Sequence, residues 1–334
     1  VSIKNITLEK NFLALAPMAG LTHAALRELV ASFGGCDLFF TEMLNVRAIV
    51  HQNPENDPYL ICGKNDRPLV AQLVGREPEL FARAVARLEK GFSFYGYDIN
   101  FGCSRGAIQR YGWGVSLMKE PALCAEIVAA VRSATQKPVS AKIRSGFEHN
   151  REKLISFVET LIQAGVQLVT LHPRTAEEGF RRPARWEEIS WLKENFPSLK
   201  ILGNGDVFGP QDAQKMLAQT RCHGVMIGRA ALLRPWIFRD TKSYLAKGGI
   251  PPGPSPQEIP TKMWELISQY LPEELREKRF ELWLFWFLQN FPFGLHYFGE
   301  VKKEKNLAAK LEKLRQFLSR ERLRPYPARP YLLR

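Results

Sequence analysis

The sequence predicts an α/β protein, a closed (β/α)8 TIM barrel followed by a small all-helical C-terminal domain. Three observations carry this expectation. Eight strand-length apolar runs alternate with segments of helical period up to about residue 240. The stretch AKGGIPPGPSPQEIP (246–260) is too rich in Pro and Gly to continue a helix. Three long segments beyond it have helical periodicity and propensity. The expected division is a barrel over 1–242, a Pro/Gly-rich linker over 243–260 and a helical, basic domain over 261–334.

Taken in order, LALA (13–16) precedes the helical THAALRELVASF, and DLFF (37–40) follows it. PLVAQL (68–73) precedes PELFARAVARLEK, and YDIN (97–100) precedes EPALCAEIVAAVRSA. PVSAKI (138–143) leads into NREKLISFVETLIQA, LVTL (168–171) into RWEEISWLKENF, LKILGN (199–204) into GPQDAQKMLAQ, and GVMIG (224–228) into AALLRPWIFRD. Such alternation builds parallel β-α units. An open doubly wound sheet is the alternative, and the lack of GxGxxG after the first strand weighs against it. Past the linker, TKMWELISQYL, EELREKRFELWLFWFLQNF and EKNLAAKLEKLRQFLSRERL read as helices. The aromatic run FELWLFWFLQNF (280–291) has core spacing and is expected inside that domain rather than as a base-stacking platform.

A chain of 334 residues, 45% hydrophobic and 24% charged, can bury a full core. No apolar stretch is long enough to span a bilayer, and VSIKNITLEK lacks the apolar region of a secretory signal, so a cytoplasmic protein with no membrane partner is expected. Cys36, Cys62, Cys103, Cys124 and Cys222 show no CxxC or CxxH spacing, which argues against a disulfide framework and against a metal site. The net charge of +13 favours a polyanionic partner. Its excess lies in the tail: residues 302–334 hold 11 basic and 3 acidic side chains. Lys302, Lys303, Lys305, Lys310, Lys313, Arg315, Arg320, Arg322 and Arg324 are read as phosphate contacts to a folded RNA.

A (β/α)8 barrel gathers its site at the C-terminal ends of its strands. Pro17, Met18 and Ala19 stand after the first strand, Gln72 on the third, Asn100 and Cys103 at the fourth. Lys142 and Arg144 lie on the fifth strand, His172 and Arg174 on the sixth, Asn204, Gly205 and Asp206 after the seventh, and Gly228 and Arg229 after the eighth. The GNGD and IGR turns place small residues and backbone amides where barrels bind phosphate, with Arg229 as a fork. Lys142 suits either a Schiff base or an anionic ligand. Gln72 offers a donor and an acceptor to a heterocycle edge, or is a satisfied core amide, and His172 is open in the same way. Glu42 is read as counter-ion to Lys142, Arg144 and Arg174 rather than as a base. His51, His149, His223 and His296 have no metal-ligand spacing and read as surface or capping residues. In DINFGCSRGAIQRYGWGVSLM (98–118), Cys103 sits on a glycine-rich loop where it is neither buried nor paired. It is a proton donor from the thiol, or a nucleophile as the thiolate.

Taken together, APMAGLTH, TEM, PLVAQLVG, DINFGCSRGAIQRYGWGVSLMKEP, VSAKIRSGF, VTLHPRTAEEGF, ILGNGDV and VMIGRAALLRPWIF resemble the tRNA-dihydrouridine synthase family, in consistent order over residues 13–239. The resemblance implies an FMN-binding TIM barrel followed by a helical tRNA-binding domain, and a monomer is expected. It implies that Pro17, Met18 and Ala19 border the flavin ring, that Gln72 and Lys142 contact its pyrimidine portion, and that His172 also contacts FMN. Asn204, Gly205, Asp206, Gly228 and Arg229 would hold the phosphate end. Asn100 and Arg174 match positions that contact the target uracil, and Cys103 matches the cysteine that protonates it. The implied reaction uses NADPH to reduce FMN, which passes a hydride to C6 of a D-loop uridine while Cys103 protonates C5, the base lying outside its stack. HPRTAEEGFR is most similar to the bacterial branch acting at position 16 of tRNA. One departure stands out: Ser104 follows the cysteine where the family usually has proline. Competing readings are an FMN oxidoreductase on a free small molecule, similar to dihydroorotate dehydrogenase, a Schiff-base aldolase using Lys142, and a tRNA-binding protein without turnover.

Overall fold

The computed structural model of the chain describes Glu9, residues 11–327, Arg329 and Pro330. Its strands are β1 (Phe12–Leu15), β2 (Phe39–Asn45), β3 (Leu69–Val74), β4 (Gly96–Phe101), β5 (Val139–Arg144), β6 (Leu168–His172), β7 (Lys200–Asn204) and β8 (Gly224–Ile227). They form one parallel sheet in the order β1-β8-β7-β6-β5-β4-β3-β2. The circle closes between its two ends. Ala14 bridges Leu38, the Leu15 N–H donates to the Leu38 carbonyl at 3.0 Å, and the Asp37 N–H donates to the Leu13 carbonyl at 2.8 Å. The expected TIM barrel is therefore present.

The helices between the strands are α1 (Ala24–Ala31), α2 (Val46–His51), α3 (Pro78–Gly91), α4 (Gly106–Arg110), α5 (Pro121–Ala134), α6 (Arg151–Gln163), α7 (Glu187–Asn195) and α8 (Pro210–Thr220). Local chemistry starts them: Pro78, Pro121 and Pro210 occupy first turns, and the Asn150 side chain caps α6 by accepting from the Lys153 N–H at 2.9 Å. Side-chain alternation then separates two cores. Leu13, Leu15, Leu69 and Ala71 face the helices, whereas Phe12, Phe40, Val70, Leu168, Leu202 and Met226 form a separate interior cluster.

After β8 the chain forms α9 (Arg229–Leu233) and α10 (Ile237–Lys247), divided at Pro235, whose ring cannot continue the helix. Helix α10 runs five residues past the boundary expected at 242 and stops where Gly248 turns left-handed, φ +73°. The irregular stretch is therefore shorter than the sequence suggested, because α11 (Glu258–Tyr270) also begins inside the expected linker. Then follow α12 (Glu273–Phe287), α13 (Gly294–Lys302) and α14 (Leu307–Leu318). Phe280, Trp283, Leu284 and Phe287 are buried, as core spacing demands. Polar contacts clamp this part to the barrel: Arg234 Nε donates to Asn290 Oδ1 at 3.0 Å, the Tyr326 hydroxyl to Asp240 at 2.9 Å, and Lys262 to Ser32 at 2.9 Å. Among the described residues no helix is long and apolar enough to cross a membrane.

One expectation about the basic tail needs correction. Lys310 is buried and ion-paired with Glu277 and Glu281, because α14 packs its inner face on α12 and brings the ammonium under two carboxylates. It is not available to a phosphate.

Candidate active site

A cleft with about 1230 Å³ of empty space, counting its mouth, opens at the C-terminal ends of the strands. Pro17, Met18, Ala19, Asn100, Cys103, Lys142, His172, Asn204, Gly205, Asp206, Gly228 and Arg229 all line it. Residues far apart in sequence are thus brought to one wall by the register of neighbouring strands; Asn100, for example, pairs with Lys142. Gln72 and Arg174 do not line the cleft. Gln72 is fully buried one level down, donating to Asp98 at 2.7 Å and accepting from Asn100 at 2.9 Å. Arg174 lies behind the wall with all three side-chain nitrogens bonded: two bonds to Asp206 at 2.5 and 2.6 Å, one to the Arg182 carbonyl at 2.6 Å, and one to His172 Nε2 at 2.8 Å.

That last bond makes His172 Nε2 an acceptor, so its proton sits on Nδ1. Burial and then the charges of Arg144, Lys142, Arg174 and Arg229 hold its pKa well below the usual value, keeping the ring neutral. Lys142 is pushed down to about 8 by burial first and by Arg144 second. Burial and Arg174 lower both Arg144 and Arg229 to about 10. These are the marks of crowded positive charge. Asp206 is the carboxylate that pairs with it, bound to Arg174 and, at 3.4 Å, to Arg229, while also accepting from the Ala184 N–H at 2.8 Å.

Glu42 was expected in that role, and the structure corrects this. Its carboxylate accepts from the Gly20 N–H and feels Arg279 and Arg27, because β2 aims it at the β1–α1 turn instead. Burial raises its pKa.

The cleft has groups left over for an anionic ligand. Among the described residues Lys142 has no hydrogen bond or ion pair, Arg229 Nη1 is buried with no hydrogen-bond partner, and Gly205 at φ +113° leaves room where a Cβ would lie 2.9 Å from His172. A phosphorylated aromatic cofactor such as FMN fits this donor set.

Cys103 is half-buried on the same wall. Its loop is anchored at the root: Asn100 Oδ1 accepts from the Gly102 N–H at 3.1 Å and the Cys103 N–H at 2.9 Å, and the Val115 N–H donates to the Cys103 carbonyl at 3.1 Å. Gly114 is required there, since φ is +62° and a Cβ would sit 2.6 Å from that carbonyl.

Sequence reasoning missed Phe180 and Trp286. Phe180 covers the cations, with the Arg229 guanidinium 4.2 Å from its ring centroid and Arg174 and Arg144 at 5.7 and 5.8 Å. Trp286 reaches the cleft from α12, at the flank of the face that buries Phe280, Trp283 and Phe287, and is itself partly buried against the core. The sequence carried no separate signal for it, since Trp286 falls within the aromatic run read as core.

Comparison with known proteins matches this arrangement. Residues 14–321 match the family described as dihydrouridine synthase (Dus). A probable tRNA-dihydrouridine synthase of Aquifex aeolicus is 37% identical over 241 residues, 71% of this chain and 74% of that one. The tRNA-dihydrouridine synthase B of Pseudomonas aeruginosa is 30% identical over 314 residues, 92% of this chain and 93% of its own. Of solved structures, morphinone reductase in complex with tetrahydroNAD superimposes with a TM-score of 0.52 at 12% identity, covering 78% of this chain and 92% of that one. Histamine dehydrogenase from Rhizobium sp. 4-9 gives 0.54 at 14%, covering 80% and 50%. At such identities these two share the fold. With the sequence match running from β1 to the end of α14, the chain belongs to the dihydrouridine synthase family and is a flavin-dependent oxidoreductase.

Proposed function

We propose that this chain reduces the C5–C6 double bond of a D-loop uridine in tRNA, using FMN and NADPH. The observation that carries the reading is a half-buried thiol, Cys103, on the wall of the same cleft as Lys142 and a buried Arg229 Nη1, neither hydrogen-bonded to any of the described residues. FMN bound there, once reduced by NADPH, supplies a hydride to C6 of the uracil. Every other task falls to side chains of this protein.

Lys142 places positive charge against the anionic edge of the flavin, while Gly205, Gly228 and Arg229 hold its phosphate, and Asp206 aims the arginines. Pro17, Met18 and Ala19 wall the ring, and His172 offers its Nδ1 proton. Asn100 holds the Cys103 loop on the cleft wall, from which the thiol would deliver its proton to C5 of a base bound there. Gln72 supports Asn100 from below, and Arg174 acts on the substrate side only through His172 and Asp206 in the state described. Ser104 leaves the thiol intact and changes the stiffness of its loop. The barrel, up to α10, carries the chemistry, and the helical part from α11 onward binds tRNA as a monomer in the cytoplasm. Lys305, Arg320 and Arg322 are exposed there, with no ion pair among the described residues, and suit RNA phosphates.

The test is position-resolved mass spectrometry of dihydrouridine in tRNA from a strain lacking the protein, treated with the full chain and NADPH. New dihydrouridine at one D-loop position, position 16 by motif resemblance, that is lost or slowed about 10²–10⁴-fold in Cys103→Ala supports the reading. Consumption of NADPH by the FMN-loaded protein with no dihydrouridine refutes it and points to a small-molecule acceptor.

A further inference from the structure

Below the cleft, a chain of hydrogen bonds crosses three strands inside the barrel. The register aligns Gln72 on β3, Asp98 on β4 and Ser140 on β5 at one level, and Asn100 one step higher on β4 beside Lys142. Asp98 and Gln72 are fully buried, and Ser140 nearly so. The Ser140 hydroxyl donates to Asp98 Oδ1 at 2.6 Å and Gln72 Nε2 donates to Asp98 Oδ2 at 2.7 Å. Asn100 Nδ2 donates to Gln72 Oε1 at 2.9 Å, and Asn100 Oδ1 accepts from the Gly102 and Cys103 N–H groups.

The chain has a direction. An ionised carboxylate can only accept, so Asp98 forces the amide nitrogen of Gln72 toward itself and the Gln72 oxygen toward Asn100. That oxygen draws the Asn100 nitrogen, which leaves the Asn100 oxygen facing the loop. If Asn100 turned over, its nitrogen would face the two N–H groups and the root of the Cys103 loop would lose both bonds; if Gln72 turned over, its nitrogen would face that of Asn100 and its oxygen the Asp98 carboxylate. No carboxylate other than Asp98 bonds to any member of this chain among the described residues. Burial raises the Asp98 pKa to about 6, so it is ionised at neutral pH, with Lys142 nearby favouring the charge.

The geometry points to Asp98 as a positioning residue for the cleft: acting through Gln72 and Asn100, it fixes the polarity of the relay that holds the Cys103 loop. It never touches the reacting atoms. The same polarity leaves Asn100 with a second N–H, a donor suited to a ligand carbonyl in the cleft it lines. The inference rests on the proposed uridine reduction only for its kinetic consequence; the anchoring of the loop is independent of it.

Two substitutions separate polarity from charge. Asp98→Asn removes the charge but can keep its oxygen toward Gln72 and its amide toward the Ser140 hydroxyl, which also accepts. Asp98→Leu removes the acceptor. Hydrogen exchange of the full chain, read by mass spectrometry on peptides covering Gly102 and Cys103 and on control peptides from β6 and β7, reports the loop directly. For Asp98→Leu, exchange at Gly102 and Cys103 should rise about tenfold or more relative to the controls. Uridine reduction should slow about 10–100-fold while NADPH still reduces the flavin, as expected when a group is displaced by about 1 Å. Asp98→Asn should stay within about threefold of wild type in both. Unchanged loop protection in Asp98→Leu would overturn the inference. So would an Asp98→Asn effect equal to that of Asp98→Leu, because the amide still offers Gln72 an acceptor oxygen. Should Asp98→Leu not fold, Gln72→Met breaks the relay midway without altering charge, and full protection in it is equally fatal. Wild type without uridine reduction would refute the function proposed above and leave the exchange comparison standing.

Discussion

Replacing Arg174 by Met tests whether this guanidinium is a clamp or a substrate contact. Its side chain is 2% exposed and holds Asp206 twice, the Arg182 carbonyl and His172 Nε2. Breaking a buried pair by removing one partner costs about 3–5 kcal/mol. Asp206 is 23% exposed and keeps the Ala184 N–H and Arg229, which puts the cost near the lower end, about 3 kcal/mol. For a barrel of this size that lowers Tm by about 6–12 °C. Asp206 would then turn its whole charge on Arg229, now 3.4 Å away, and compete with the ligand phosphate. A loss of about 1.4 kcal/mol there is tenfold in FMN affinity. The assay pairs thermal unfolding with FMN titration of the flavin-free chain, for Arg174→Met and Arg174→Lys, neither of which restores the planar fork. If Arg174→Met keeps Tm within about 2 °C and wild-type FMN affinity while losing only turnover on tRNA, the clamp is refuted and Arg174 swings out to the uracil.

Lys142 has its folded pKa lowered from 10.5 to about 8, so its contribution to stability is present above the unfolded value and is lost as pH falls from 10.5 through 8. The ammonium is a cost at neutral pH that an anionic ligand offsets; FMN affinity should therefore fall by up to about tenfold per pH unit above 8, and Lys142→Met should flatten that dependence in fluorescence titrations. Arg27 and Asp66 form an ion pair at 2.7 Å with side chains 1% and 0% exposed. Arg27→Ala should cost about 3–5 kcal/mol in urea unfolding, and Arg27→Met with Asp66→Leu together clearly less. Trp286→Ala should raise the KM for tRNA about 5–100-fold, the range of one lost base–aromatic stack, with FMN affinity near wild type; an unchanged KM would return Trp286 to a purely structural role.

How much of the site was readable beforehand depended on what each residue answers to. The glycines of GNGD and the cysteine loop are dictated by local backbone conformation, and they stand at the strand ends where a barrel places its ligand. Arg174 and Glu42 answer instead to whichever opposite charge the closed barrel brings near. One turned inward to Asp206, and the other to the Gly20 turn and Arg279, a residue of α12. Lys310 followed the same rule and was claimed by Glu277 and Glu281.

The sequence by itself determined the alternation of strands and helices, the order of the strand-end residues and the position of the cysteine loop, because hydrophobic period and Gly/Pro punctuation act over a few residues. Only the tertiary structure decided which side chains meet across strands: that Gln72 turns sideways to Asp98 rather than out to the cleft, that Arg174 stands behind the wall, and that Trp286 reaches in from α12. Those contacts depend on strand register, barrel closure and the docking of the helical part. Each is a sum of many distant packing terms that leaves no local trace in the chain.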